Sequence, residues 1–225
     1  MAHESLPMVI ARRPLREAVR TAVIERLDRG DLPVGANVNE PELAEQLGVS
    51  RTPLREALLG LEHEGLLVAS PGRGWVVAPL TAQIVFEVYP IIWALETEAL
   101  RSSDPAGLQA LTGELERLNT QLRAQGDPLE RMRLDDQWHA LLLSACPNRR
   151  LVELVAAQKR IVHRYEFAYM SAPDSLPAST DQHGAIVAAL RDGDIDRAAQ
   201  HLEANWRHSV AAIAHLIDED PDQAR

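Results

Sequence analysis

The sequence predicts a mainly α-helical protein in two parts: a short N-terminal part that ends in a β-hairpin, and a longer all-helical part. Apolar residues recur at helical spacing through most of the 225 residues. Two short β-type runs flank the Pro-Gly-Arg-Gly turn at 71–74. The charge is also uneven, since residues 1–79 carry nine Arg against eleven acids and residues 80–225 carry 14 basic against 22 acidic residues. We therefore predict one domain over 1–79 and a second over 80–225.

The boundary has its own signals, because Pro79 resists continuing a strand and Thr81 can cap a helix. Before it we predict a helix over 14–27, where four apolar residues recur at four-residue spacing. These are Leu15, Val19, Val23 and Leu27. A second short helix follows the N-cap Asn39 and ends at Gly48. A third begins after the N-cap Ser50 and ends at Gly65.

Strands are predicted at Leu66–Ala69 and Trp75–Ala78, joined by the tight turn at 71–74. Only Leu47-Gly48-Val49-Ser50 separates the second and third helices. A short glycine-containing turn of this kind joins the two helices of a helix-turn-helix. Three helices and a hairpin in this order describe an N-terminal winged helix-turn-helix.

The second part reads as six helices with short connections, which predicts an all-α antiparallel helical bundle. The predicted ranges are 81–101, 105–125, 128–146, 149–170, 179–191 and 194–218. The single cysteine, Cys146, excludes a disulfide framework and a cysteine-based zinc cluster. No run approaches the roughly 20 apolar residues of a membrane span. Residues 1–20 lack the apolar region of a signal peptide. We expect a cytoplasmic protein without a membrane partner.

The third helix carries a pattern suited to reading DNA. Arg51 and Arg55 are four residues apart and share one face, while the apolar residues Leu54, Leu58 and Leu61 lie on another. Arg can form two hydrogen bonds to guanine in the major groove, and Thr52 with the helix N-terminal amides can contact phosphate. The alternative is that both Arg are ordinary solvated residues, with Arg55 paired to Glu56 or Glu62.

The turn of the hairpin adds to this pattern, because Gly72 lets the backbone approach DNA closely and Arg73 adds a cation. The stretch EPELAEQLGVSRTPLREAL at 40–58 then resembles a GntR-family transcriptional regulator. The resemblance implies that Arg51 and Arg55 read bases and that Gly72 is a wing-tip contact. Ser50 and Thr52, at the start of the same helix, complete the DNA-binding residues that we expect. Many relatives carry another Arg at the start of the second helix, where this chain has Pro41.

The second part resembles the FCD-type effector domain of the FadR subfamily. The resemblance is carried by DDQWH at 135–139, by Pro147-Asn148 and by the residues around His183. It implies a divalent metal held by Asp135, His139 and His183. Asn205 stands at the fourth position, where many relatives have His, and Ile92 stands where relatives often have an Arg.

The residues themselves are consistent with such a site, since Asp135 and His139 are one helical turn apart and one ion could contact both. Imidazole and carboxylate suit Zn, Ni, Mn or Fe, and an amide oxygen from Asn205 would be a weak extra ligand. The alternative is that His183 is a hydrogen-bonded core residue and Asp135 a surface acid.

Four residues on the helix at 149–170 are candidates for effector binding. Gln158 and Tyr165 fall near its apolar stripe and could line a pocket. Arg160 and Arg164 could bind an anion, but the helical wheel places both away from the stripe, which favours solvated side chains.

We therefore expect a ligand-responsive, sequence-specific DNA-binding regulator. Two-fold proteins bind two-fold operators, so a homodimer on palindromic double-stranded DNA is expected. By resemblance, a small-molecule effector, an organic or sugar acid, would relieve repression. One alternative is a DNA-binding dimer whose helical domain is purely structural. The other is a metal-dependent hydrolase, but the chain has no HExxH motif and no phosphate-binding loop, so we do not expect an enzyme.

Overall fold

The computed structural model describes residues 13–172 and 175–219, and these form two compact units divided between Ala78 and Pro79. The first unit contains α1 (Arg13–Asp28), α2 (Glu40–Gln46), α3 (Arg51–His63), β1 (Leu67–Ser70) and β2 (Gly74–Val77). The second contains α4 (Ala82–Arg101), α5 (Pro105–Ala124), α6 (Pro128–Leu143), α7 (Arg149–Ser171), α8 (Ser175–Arg191) and α9 (Ile195–Glu219). The predicted mainly helical fold class is confirmed.

The first unit is a winged helix-turn-helix whose core lies between α1, α3 and the hairpin. The stripe Val19, Val23 and Leu27 is buried against α3. The two strands are antiparallel, with Leu67 opposite Val77 and Ser70 opposite Gly74. Each strand is therefore offset by one residue from the predicted range.

A third segment adds to the hairpin, which the sequence did not indicate. Asn37 forms an isolated bridge with Val76. The backbone N–H of Val38 donates to the Trp75 carbonyl at 2.8 Å, and the N–H of Val77 donates to the Ala36 carbonyl at 2.9 Å. The chain before α2 is thus fixed against β2, which fixes where α2 begins.

The predicted cap residues flank α2 and α3. The Asn39 side chain accepts a hydrogen bond from the N–H of Glu42, and Pro41 lies in the first turn of α2. Ser50 is the N-cap residue of α3, although its side chain makes no capping hydrogen bond. Gly48, between the helices, has φ of +64°, a conformation that side chains other than glycine rarely adopt.

The second unit is a helical bundle with one main core. The helix α4 packs on α7 and α9, α8 packs on α5 and α9, and α6 packs on α5 and α7. Four helix starts are capped by side-chain oxygens, from Thr81, Asp104, Asp127 and Asn148. None of the described helices has the length and apolar character needed to cross a membrane.

Two predicted helix limits in this unit are wrong. The helix α8 begins at Ser175, not at 179, with Pro177 in its first turn. Proline is tolerated there because the first N–H groups of a helix have no acceptor within the helix. The helix α6 ends at Leu143, not at 146, since the N–H of Cys146 turns back to the Leu143 carbonyl just before Pro147.

Candidate DNA interface and candidate metal centre

The helix α3 separates an apolar face from a polar one. Leu54, Leu58 and Leu61 are fully buried in the first unit. Arg51, Thr52 and Arg55 are exposed on the other face, and Ser50 is exposed just before the helix. The helix N-terminus, two guanidinium groups and a hydroxyl therefore share one accessible surface.

Arg55 has a partner that differs from the predicted one. Its Nε lies 2.9 Å from Oε2 of Glu40, the first residue of α2, and its guanidinium lies 5.8 Å from the centre of the Trp75 ring. The alternative of a solvated Arg55 paired with Glu56 or Glu62 named other partners than Glu40, which reaches Arg55 because α2 approaches the exposed face of α3. The Glu62 carboxylate instead accepts a hydrogen bond from Trp75 Nε1 at 3.0 Å.

The wing tip is exposed and closed by a local hydrogen bond. Gly72 has φ of +77°, and the N–H of Arg73 donates to the Ser70 carbonyl at 2.9 Å. The Arg73 side chain is exposed to solvent. Of the basic residues before α3, Arg20 is held by an ion pair with Glu64, while Arg12 lies outside the described residues.

A cluster of buried ligand-type residues lies in the second unit. Ligand atoms of Asp135, His139 and His183 all fall within 4.8 Å of one another. Nε2 of His139 lies 3.8 Å from one Asp135 carboxylate oxygen, and Nε2 of His183 lies 3.6 Å from the other. The helices α6 and α8 bring the three together. Asp135 is buried, so it is not a surface acid.

His183 is not a satisfied core histidine. Its side chain is fully buried and its ring stacks on Trp138 at 3.8 Å, and among the described residues neither ring nitrogen has a hydrogen-bond partner. Burial lowers the pKa of His183 well below its ordinary value, so the ring is neutral and offers a lone pair. The cluster thus offers two imidazoles and one carboxylate, a set of ligand types that suits a divalent metal ion.

Glu96 on α4 contacts the ring nitrogen of His139 that does not face Asp135. Its Oε2 lies 2.9 Å from Nδ1 of His139 and accepts a hydrogen bond from Trp206 Nε1 at 2.6 Å. Burial opposes ionisation of both groups, but their mutual attraction and hydrogen bond raise the pKa of His139 and lower the pKa of Glu96. With its Nδ1–H donated to Glu96, His139 directs Nε2 towards Asp135, the arrangement found behind metal-binding histidines.

Sequence reasoning missed Glu96. The available signal was its position four residues after Ile92, on the buried face of α4. An acid on an apolar stripe requires a partner within the core.

A small cavity of about 10 Å³ adjoins the cluster, which is room for about one water molecule or ion. Its wall includes Asp135, His139, Ser179, Asn205 and Glu166. The Asn205 amide nitrogen donates to Gln182 at 2.9 Å, which leaves the amide oxygen as its only ligand atom. Of the metal residues expected from the resemblance, three form the cluster and Asn205 lies on the adjoining wall.

The four effector candidates are dispersed along α7. Arg160 is exposed, but Arg164, one turn later, is buried, so the expected solvation of Arg164 is wrong. The helices α4, α6, α8 and α9 all contact α7. The Tyr165 hydroxyl accepts a hydrogen bond from the N–H of Thr81 at 3.0 Å, and Gln158 is half-buried. None of the four is among the residues that line the cavity described above.

Comparison with known proteins gives the same division of the chain. Residues 11–77 match the bacterial regulatory proteins of the gntR family, and residues 87–208 match the FCD domain. The Nta operon transcriptional regulator of Aminobacter aminovorans is 32% identical over 188 residues, covering 81% of this chain and 87% of that protein. The transcriptional repressor RspR of Escherichia coli is 30% identical over 182 residues, covering 75% and 77%.

Among solved structures, Escherichia coli McbR/YncC is similar in fold. It has a TM-score of 0.71 and 23% identity, over 93% of this chain and 99% of that one. The winged helix-turn-helix, the helical bundle and these matches agree. The chain is a DNA-binding transcriptional regulator of the GntR family with a C-terminal FCD domain, in a family of regulators rather than enzymes.

Proposed function

We propose that this regulator reads a palindromic operator as a homodimer, through the exposed face of α3 and the wing tip. The main support for this proposal is that Arg51, Thr52 and Arg55 are exposed around the start of α3 while the leucines of this helix are buried. Arg51 and Arg55 would contact base edges, Ser50 and Thr52 would contact phosphate, and Gly72 with Arg73 would contact the backbone beside the groove.

The test is a gel-shift titration with an operator recovered from random-sequence selection. Arg51→Ala and Arg55→Ala should each weaken operator binding by about 1–3 kcal/mol and relax the sequence preference at one position per half-site. Arg150→Ala is the matched control, since Arg150 is 90% exposed on α7 in the other unit. Operator binding that survives the double Arg variant would overturn this assignment, and a monomer by sedimentation would overturn the dimer.

We further propose that the FCD domain holds one divalent ion of Zn, Ni, Mn or Fe through Asp135, His139 and His183, with the Asn205 amide oxygen as a weak fourth group. The unpartnered nitrogens of buried His183 support this. Elemental analysis of metal-replete protein should give about one ion per chain, and His139→Ala should remove it. A stoichiometry near zero in the wild type would contradict the proposal.

The bound ion would offer open positions to the carboxylate of a small organic or sugar acid, which would relieve repression. RspR is named as a repressor, and the Aminobacter regulator is named for an operon, which supports operon repression here. The effector candidates remain the four residues of α7. Arg164 and Tyr165 are buried next to Glu166 in the chain, and Gln158 and Arg160 lie nearer the start of the helix.

A ligand that binds only the folded state must raise its stability, so thermal-shift screening of metal-loaded protein against organic acids tests the effector. The competing function is a dimerisation domain that binds no small molecule. In that case no acid would shift the melting temperature, and no acid would release the operator.

A further inference from the structure

Glu166 is a buried acid on the wall of the cavity beside the proposed metal cluster. It lies on α7 and is 6% exposed, and neither carboxylate oxygen has a hydrogen-bond partner among the residues that the structure describes. The same cavity is lined by Asp135 and His139. A buried carboxylate without a partner is costly, so a group with positive charge or a hydrogen-bond donor is expected to meet it.

Nearby donors that line the cavity bond to other acceptors, His139 and Trp206 to Glu96 and Asn205 to Gln182. The cavity lining includes two carboxyl groups, from Asp135 and Glu166, and no Lys or Arg among the residues that the structure describes. The nearest ammonium, that of Lys159, is 3.8 Å from Glu166 Oε1 but 2.7 Å from Asp136 Oδ1. The primary partner of Lys159 is therefore Asp136, and Glu166 is left facing the cavity.

We propose that Glu166, more than Asn205, is the fourth protein group that holds a divalent cation at Asp135, His139 and His183. The inference rests on the proposed metal site and adds a residue to it. Asp135 and Glu166 together balance the charge of a dication. Asn205 brings no charge, and its amide nitrogen is already bonded to Gln182.

The distances determine how Glu166 can act. Its oxygens lie outside the set of ligand atoms within 4.8 Å of one another. Glu166 therefore reaches the cation by turning about its side-chain bonds or through one water, for which the cavity of about 10 Å³ has room. A carboxylate in place of a fourth imidazole favours harder cations. We expect the site to accept Mn²⁺ more readily than a site with three imidazoles would.

Calorimetric titration of full-length, chelator-stripped protein with Mn²⁺ tests the proposal. Glu166→Gln keeps the shape of the side chain and removes the charge, and it should weaken Mn²⁺ binding by about 10-fold to 100-fold. Glu153→Gln, the same change at an exposed acid of α7, is the matched control and should leave the affinity unchanged, while Asn205→Ala should weaken binding less than Glu166→Gln does. The electron paramagnetic resonance spectrum of bound Mn²⁺ should change in Glu166→Gln and stay the same in Glu153→Gln.

The outcomes separate this inference from the metal site itself. Wild-type protein that binds no divalent ion would overturn both. Wild-type binding that is lost in His139→Ala but unchanged in Glu166→Gln would overturn only the role of Glu166. The metal-free Glu166→Gln protein should melt no lower than the wild type, since the lost carboxylate accepts no hydrogen bond from the described residues and has Lys159 only at 3.8 Å. A lower melting temperature of that metal-free variant would make Glu166 a structural residue and overturn the proposal.

Discussion

The Arg55 guanidinium is held 2.9 Å from the carboxylate of Glu40, although Arg55 is 62% exposed and Glu40 only 18% exposed. The first residue of α2 thereby gives an exposed Arg of α3 a defined direction. The Trp75 ring, 5.8 Å from the guanidinium, limits its movement on the other side. In the proposed operator complex, Glu40 would position Arg55 for base reading, and its charge would reduce the attraction to phosphate.

This relationship predicts opposite effects of Glu40→Gln on two kinds of DNA. Removing the acid should strengthen binding to random duplex, because one repulsion from phosphate is lost. The ratio of operator affinity to random-duplex affinity should fall by about fivefold, because Arg55 loses its orientation. A correct Arg–base pair contributes about 1–3 kcal/mol to that ratio. Fluorescence anisotropy with both duplexes measures the ratio. Glu45→Gln, exposed on the same helix, is the control. An equal gain on both duplexes would refute the positioning role.

A second prediction concerns Glu96 behind His139. The carboxylate raises the pKa of His139 through its charge and hydrogen bond. Glu96→Gln should lower that pKa, seen by NMR titration of the metal-free protein, and should weaken metal binding by about 10-fold to 100-fold. Glu98→Gln, exposed on the same helix, should change neither. An unchanged His139 titration in Glu96→Gln would contradict the pairing.

The pH dependence of stability provides a third prediction, for metal-free protein. Burial raises the pKa of Glu166 from 4.5 to about 7. Between these values the native state holds a proton that the unfolded state has lost, so stability falls as the pH rises through this window. Replacing Glu166 by Gln should remove this fall, and the variant should gain on the order of 3 kcal/mol over the wild type by pH 8.

Urea unfolding in the presence of a chelator measures the difference at each pH. Glu153→Gln changes an exposed acid of α7, and its free energy of unfolding should differ from that of the wild type by the same amount at every pH. A constant offset between wild type and Glu166→Gln across the window would show that Glu166 titrates normally.

A fourth prediction concerns two glycines, whose replacement by Ala should change the free energy of unfolding in opposite directions. Gly72 has φ of +77°, and a β-carbon added there would meet no atom within 4 Å, so Gly72→Ala should cost about 1 kcal/mol through backbone strain alone. Gly113 lies within α5 with equally open space, and Gly113→Ala should stabilise by about 1 kcal/mol through helix propensity. Chemical denaturation of each unit's transition checks both. Stabilisation by Gly72→Ala would mean that the wing turn differs from the described one.

Most of the fold could be predicted because it depends on local patterns. Helical periodicity, capping side chains and Gly-Pro breakers lie within a few residues of one another. The partner of Arg55 could not be predicted, since it depends on how α2 approaches α3. The burial of Arg164 depends on four helices that cover α7.

The candidate metal site shows the same limit. Asp135 and His139 are one helical turn apart, and the family resemblance pointed to His183, so these three residues could be predicted from the sequence. Glu96 and Glu166 come from two other helices, α4 and α7, and single acids on amphipathic helices ordinarily read as solvated. Only their burial identifies them.

The parallel stacking of His183 on Trp138 gives the protein an intrinsic optical reporter. The two rings are 3.8 Å apart with no tilt, and Trp138 Nε1 is fixed by the Leu115 carbonyl at 3.1 Å. Any ion that takes a lone pair of His183 changes the electron density directly over an indole that cannot turn away. Tryptophan emission should therefore follow occupancy of the site without a label, and replacing Trp138 by Phe should reduce that signal while the ion still binds, leaving the part that comes from Trp206 beside His139.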